Sequence, residues 1–380
     1  MANIMDYLDW RGDLSFSQSP FNEVDSLILS QLVYVNFDYI VPTKWNQASV
    51  TIEEAANRYF SMYSEEQMEQ MGYIVRISLP LLRKLALAPR FANVRLSKFG
   101  NIIDLDSTKQ FAAMHVALDD GSTFVAFRGT DNTIVGWREN FNMSIRMPVA
   151  SQYEAVCYLE DTVGEGEQLL RLGGHSKGGN LAVYAAIMCK AEMKERIVEV
   201  YNHDGPGFDK KMISSEAYQQ ILSKVRTIVP QSSIVGMLLE HQEEYTIVQS
   251  KASILMQHEA FSWEVMGNCF VRGESVERKS EVLDQTLKSW LTKLDQKERT
   301  SFISALFHVF EVGDIRTFED LGRTKWQKIS QMVRALNHSA EHKAVLMKSL
   351  RLLLKEGKEI IIASRKKNNN TSSEEVRMLE

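Results

Sequence analysis

Three cysteines in 380 residues, Cys157, Cys189 and Cys269, are too few and too irregularly placed to form a disulfide framework. An odd number without a pattern fits a reducing compartment. Neither cysteines nor histidines show zinc-like spacing, so no metal is expected. Basic residues are outnumbered, and a net charge of −5 leaves no positive field for nucleic acid. No uncharged apolar run approaches the ~18 residues of a membrane helix, so no transmembrane segment is expected. The opening residues, Met1 to Trp10, lack the basic and apolar regions of a signal peptide. Together these absences lead to the expectation of a cytoplasmic protein. There is no internal repeat. What is present is ordinary globular composition, 44% hydrophobic and 24% charged, in a chain long enough for one large or two modest domains.

The patterning changes twice along the chain. Residues 1–90 read as a mainly helical region packed on the core: Ser26 to Tyr34 carry apolar side chains at helical spacing, and Thr51 with Glu54 forms a capping-box pattern. Leu79-Pro80-Leu81 opens a further helix, with Pro80 in the tolerated first turn. Strand signals dominate residues 91–272 and alternate with helical stretches, which predicts a mostly parallel sheet covered on both faces. Residues 273–364 switch to amphipathic helices, a bundle or an added layer. Their stripes are Leu283 to Leu294, Phe302 to Phe310, Trp326 to Leu336 and Leu346 to Leu354, with Gly313 and Gly322 marking a connection. Residues 365–380 are polar and expected to be disordered.

The most informative segment is Leu172-Gly173-Gly174-His175-Ser176-Lys177-Gly178-Gly179-Asn180-Leu181. A strand-like run from Gln168 to Leu172 precedes it and a helix-like run from Leu181 to Met188 follows. Gly-x-Ser-x-Gly in that context is the nucleophile elbow of α/β hydrolases. The serine stands at the apex of a sharp strand-to-helix turn, and small residues flank it because side chains there would collide with neighbouring backbone. The turn lifts the serine oxygen off the sheet and aims the first N–H groups of the helix at developing negative charge.

A second motif lies upstream. The strand-like Ser122 to Phe127 runs into Arg128-Gly129-Thr130-Asp131, followed by Gly136-Trp137-Arg138-Glu139-Asn140. Phe-Arg-Gly-Thr, then a Trp-x-x-Asn segment, then Gly-His-Ser-x-Gly-Gly, in that order, resembles the class 3 lipase-like α/β hydrolases, in a bacterial-type branch. The resemblance covers roughly residues 110 to 265. It implies an α/β-hydrolase fold, no cofactor, and an oxyanion hole formed by Thr130 with the backbone N–H of Lys177.

A serine nucleophile needs a base and the base an orienting acid, in the chain order serine, acid, histidine for this fold. His258 and His241 are the candidate bases. The family's histidine sits on a late loop ahead of an aromatic segment, which matches His258 before Phe261-Ser262-Trp263. His241, among Glu240, Glu243 and Glu244, reads as a solvated surface residue. The family usually places its acid after the strand Val225 to Pro230, where this chain has Gln231-Ser232-Ser233 instead. The preceding strand ends in His203-Asp204-Gly205-Pro206-Gly207, and Asp204 resembles the acid position of pancreatic-type lipases. Asp204 also suits a purely local turn role, and Glu240 is a further candidate acid.

These residues predict a serine esterase or lipase that acts on a small-molecule or lipid ester through an acyl-enzyme. The alternatives are an inactive interaction protein of the same fold, or an acyltransferase using the same triad. The substrate, the acyl acceptor and the oligomeric state stay open. Lys177 is a cation in the first turn of a helix, where it opposes the helix dipole. Either it attracts an anionic ester or it points into solvent.

Overall fold

The computed structural model describes residues 2–131, 133–143, 147–164, 166, 168–252, 254–312 and 343–361. The chain forms two compact units: one runs to Ser275 and the other begins at Val276.

The first unit is built on one eight-stranded sheet whose strands lie side by side in chain order. They are β1 Val50–Thr51, β2 Arg95–Asp104, β3 Lys109–Ala117, β4 Thr123–Phe127, β5 Leu170–His175, β6 Ile197–His203, β7 Val225–Pro230 and β8 Tyr245–Val248. Neighbours pair antiparallel from β1 to β4 and parallel from β4 to β8. This is an α/β sheet of the α/β-hydrolase type, with the elbow serine directly after β5.

The strand order has a consequence for what covers the sheet. Parallel crossovers are right-handed, and a sheet whose order never reverses takes all of them on one face. The helices Ala150–Thr162, Lys177–Met188 and Glu216–Ile221 lie in those connections. They pack Tyr158, Leu159, Leu181, Ala185 and Tyr218 with Val125 and Phe127 of β4. The opposite face then needs cover from elsewhere, and the first ninety residues supply it. Helices Glu23–Leu32 and Tyr73–Leu87 bury Leu27, Leu32, Leu82 and Leu85 in a second core with Phe124 and Ala126. Alternate residues of one strand thus serve two cores, as the period of two requires.

Thr51 caps the helix Ile52–Met62, with the Glu54 N–H and carboxylate closing the box at 3.0 Å each. Pro80 departs from its expected place. It lies inside the helix Tyr73–Leu87, not in its first turn. An interior proline forgoes one backbone bond and crowds the preceding turn. Here Ser78, Leu79, Leu81, Leu82 and Leu85 are all buried along that helix, and their packing outweighs the local preference.

In the second unit, Trp290 of helix Arg278–Lys293 meets Phe302 of helix Gln296–Val312 edge-on at 5.2 Å. Its indole N–H donates to the Ser349 carbonyl at 2.9 Å, within a helix at 343–361. Lys293 and Glu356 pair at 2.6 Å. The stripe Trp326 to Leu336, the glycines Gly313 and Gly322, and the tail 365–380 lie outside the described residues. Among the described residues no helix is long and apolar enough to cross a membrane.

Candidate active site

Ser176 sits between β5 and the helix Lys177–Met188 with φ +59° and ψ −132°. A non-glycine residue in this region carries about 1–3 kcal/mol of strain, sustained only when its surroundings fix it. The surroundings do so here: the Ser176 N–H donates to the His203 carbonyl at 2.8 Å, and its own carbonyl accepts from the Gly179 N–H at 2.9 Å. The flanking glycines are sterically obligatory. A Cβ on Gly178 would overlap the Phe127 carbonyl oxygen, and one on Gly174 would overlap the Gly178 backbone.

The structure brings His258 and Asp204 together. His258 Nδ1 lies 2.6 Å from Asp204 Oδ2, and the carboxylate is fully buried. An imidazole that donates Nδ1–H to a carboxylate keeps its lone pair on Nε2. Asp204 follows β6 in a positive-φ conformation of +52°, with its N–H donating to the Ile228 carbonyl of β7 at 2.8 Å. Its second oxygen accepts from the Ser233 hydroxyl at 2.5 Å and the Gly236 N–H at 3.2 Å. The turn role belongs to Asn202 instead, whose Oδ1 accepts from the Gly205 N–H at 3.0 Å. Ser233 stands in the segment where an acid was expected and did not occur, and it holds the carboxylate that the neighbouring strand provides.

The loop that carries His258 is fixed from three sides. His175 Nε2 donates to the His258 carbonyl at 2.7 Å, and the two rings lie 4.7 Å apart. Gln257 accepts from the Ser232 N–H at 2.8 Å, and the indole of the buried Trp263 donates to the Gln257 carbonyl at 2.8 Å. No local sequence pattern marks Ser232, Ser233, Gln257 or His175 as supports of His258.

The competing candidates lie elsewhere. His241 is a correction: its side chain is only 1% exposed, and Nδ1 is 3.0 Å from Glu243. Glu243 also accepts from Tyr218 at 2.5 Å and from Thr227. Burial alone would raise the Glu243 carboxyl, but hydrogen bonds from His241, Thr227 and Tyr218 outweigh it and hold it down to about 2. A sequence crowded with carboxylates reads as surface, yet one of them turned inward and took the histidine with it. Glu240 is partly exposed and pairs through its backbone with Phe208.

Lys177 is a second correction. Its ammonium does not reach solvent but lies buried, 2.8 Å from Glu139 Oε2 and 2.6 Å from the Gln110 carbonyl. Glu139 in turn accepts the N–H groups of Ser151 at 2.8 Å and Gln110 at 3.2 Å. A carboxylate at that distance offsets the unfavourable dipole at the helix start. Burial lowers the ammonium's pKa, against the pull of Glu139. The pair ties the elbow helix to β3 and to the helix Ile134–Met143 after Thr130. Removing one partner of such a pair costs about 3–5 kcal/mol because the other charge is left buried. Lys177→Met should lose that much in chemical denaturation, and adding Glu139→Gln should recover most of it. A loss under about 1 kcal/mol would show that the pair is dispensable.

Thr130 is buried at the end of the β4 loop, and its hydroxyl has no partner among the described residues. The described residues contain no group of three or more His, Cys, Asp or Glu side chains placed to hold a metal.

Three buried imidazoles near these strands make a test of the packing. Burial pushes His115 and His203 down to about 3 and His175 well below its ordinary value, the last also because His258 and His203 lie close. Each takes up a proton on unfolding once the pH falls below about 6.5. The stability they contribute is therefore complete above that pH and is lost as pH falls toward 3. Between pH 6 and 5, unfolding free energy from urea curves should fall by about 2.5 kcal/mol per pH unit for His115 and His203 together, with His175 acting in the same direction. A flat dependence across that window would contradict the burial of these rings.

No curated protein matches the chain. It is similar to a solved structure described as the crystal structure of M37 lipase, at 15% identity and a TM-score of 0.33, over 46% of this chain and 70% of that one. The model of the Mbeg1-like family matches residues 85–308, a span that holds Thr130, the elbow, Asp204 and His258, and the chain belongs to the Mbeg1-like family.

Proposed function

We propose that the protein is a serine hydrolase that cleaves a carboxylic ester through an acyl-enzyme. The observation that carries the proposal is the 2.6 Å bond between His258 Nδ1 and a fully buried Asp204, at the same sheet end as a serine held at φ +59°. Ser176 attacks the ester carbonyl and His258 Nε2 takes its proton. The tetrahedral oxyanion accepts hydrogen bonds from the Thr130 hydroxyl and the Lys177 N–H. Collapse breaks the ester C–O bond, with the alcohol leaving on the proton that His258 returns. Water, deprotonated by His258, then releases the acid. Asp204 holds the imidazole in the required tautomer throughout.

The order of the Phe-Arg-Gly-Thr and Gly-His-Ser-x-Gly-Gly motifs supports a place beside the class 3 lipases. On this reading residues 91–272 are the hydrolase core, 1–90 its cover and 273–364 a helical addition. The unpartnered Thr130 hydroxyl favours a working oxyanion hole over an inactive scaffold, because an idle buried hydroxyl is costly. Hydrolysis of p-nitrophenyl esters of rising chain length tests the proposal: turnover of any member that depends on Ser176 supports it, and no turnover across the series contradicts it.

A further inference from the structure

Among the described residues two buried arginines stand in opposite states. Arg90 is fully buried and fully used: it grips both oxygens of Asp25 at 2.9 and 2.5 Å and donates to the carbonyls of Leu14 and Ser19 at 2.9 and 2.8 Å. Arg128, from the Arg-Gly-Thr motif, is 5% exposed and far less satisfied. Its Nη2 donates to Asn101 Oδ1 at 3.1 Å, Asp131 is 3.8 Å away, and Nε has no partner among the described residues. Asp131 does not close the gap: its Oδ2 stands 3.8 Å from Nη2, beyond hydrogen-bond reach, while its Oδ1 accepts from the Thr133 N–H at 2.8 Å. A guanidinium has five donors, and leaving a buried polar group unsatisfied is costly unless something else fills the place.

What adjoins it is a partly open cavity of about 180 Å³, with Asn36, Asn101, Arg128 and Asp131 among its walls beside the apolar Ile74, Val75 and half-exposed Ile103, and Tyr34 at one side. Asn101 is held with its oxygen toward Arg128, because its Nδ2 donates to Asp38 Oδ2 at 2.9 Å. The cavity's wall residue Tyr34 comes close to Ser176. Gly129 separates them so narrowly that a Cβ there would strike the Tyr34 hydroxyl and come within 3.2 Å of the Ser176 Cβ. A volume of that size suits part of a substrate and not the whole of one.

We infer that this cavity is a substrate subsite in which Arg128 binds an oxygen acceptor, so that the ester's short acyl group carries a carbonyl or carboxylate oxygen beyond the scissile bond. The inference rests on the hydrolase reading and narrows its substrate class. Asp131 and Asp38 balance part of the Arg128 charge, and a neutral carbonyl and an anionic carboxylate both offer the acceptor that the guanidinium lacks.

Three p-nitrophenyl esters separate these cases: valerate, 4-oxovalerate, which is close in size but carries a ketone, and hemisuccinate, which ends in a carboxylate. In the wild-type protein kcat/KM for at least one oxygen-bearing ester should exceed that for valerate by roughly ten- to a hundredfold, the worth of a hydrogen bond to a charged group. The favoured one identifies a neutral or an anionic group. Arg128→Met should bring the ratio close to one. If that variant fails to fold, Ile103→Trp keeps the guanidinium, narrows the cavity and must lower the same ratio. Equal wild-type turnover of all three esters overturns the subsite and leaves the hydrolase reading standing. If no ester is turned over, the hydrolase reading fails and the subsite is judged by titrating sodium levulinate and succinate into the wild-type protein with NMR detection. Binding that Ile103→Trp weakens then supports the subsite, and no binding overturns it.

Discussion

Ser176→Ala should lower ester turnover by on the order of a million-fold, the loss seen when the nucleophile of a comparable triad is removed. The change deletes one oxygen from a residue that is 8% exposed, and the serine side chain caps no backbone group of the helix it starts. Stability should therefore stay within about 0.5 kcal/mol of wild type, or rise slightly. That split matters, because a residue whose role is to hold the elbow would lose stability along with activity. Unfolding and kinetics measured on the same preparation distinguish the two. A variant that keeps more than a few per cent of wild-type turnover places the nucleophile elsewhere.

Asp204→Asn is the second large effect. An amide in place of the carboxylate can donate to His258 Nδ1, which moves the ring proton to Nε2 and blocks the lone pair that accepts the serine proton in the proposed mechanism. The same change in a serine protease triad lowers turnover about ten-thousand-fold. Here the carboxylate also accepts from Ser233 and Gly236, so the substituted amide retains one oxygen for those donors and the loop stays anchored. His258→Ala should be at least as damaging to turnover. His241→Ala should lower stability by breaking a buried histidine–glutamate pair, while leaving kcat near wild type. If His241→Ala removes activity and His258→Ala does not, the base has been misassigned. If Asp204→Asn keeps most of its turnover, the 2.6 Å bond is structural.

The elbow was legible because its physics is local: two glycines, a strained serine and a following helix lie within a few consecutive residues. The parallel sheet was legible for a similar reason, since Val225–Pro230 and Ile197–His203 announce themselves by composition. What holds the site was not. Ser233 bonds Asp204 across 29 residues and Tyr34 approaches His175 across 141, and no local pattern marks such pairs. Lys177 misled because a lysine's usual fate is solvent, and only the fold shows that Glu139 meets it in the core. Pro80 misled because its helix extends several residues upstream of the apolar run that marked it, and packing there outweighs a backbone preference.

The most direct test of the central claim is to treat the wild-type protein with a fluorophosphonate and locate the adduct by peptide mass spectrometry. A nucleophile activated by its neighbours should take one label per chain, on the Ser176 oxygen, at a rate that Asp204→Asn and His258→Ala reduce sharply. An unlabelled protein, or a label on any other residue, would contradict the account.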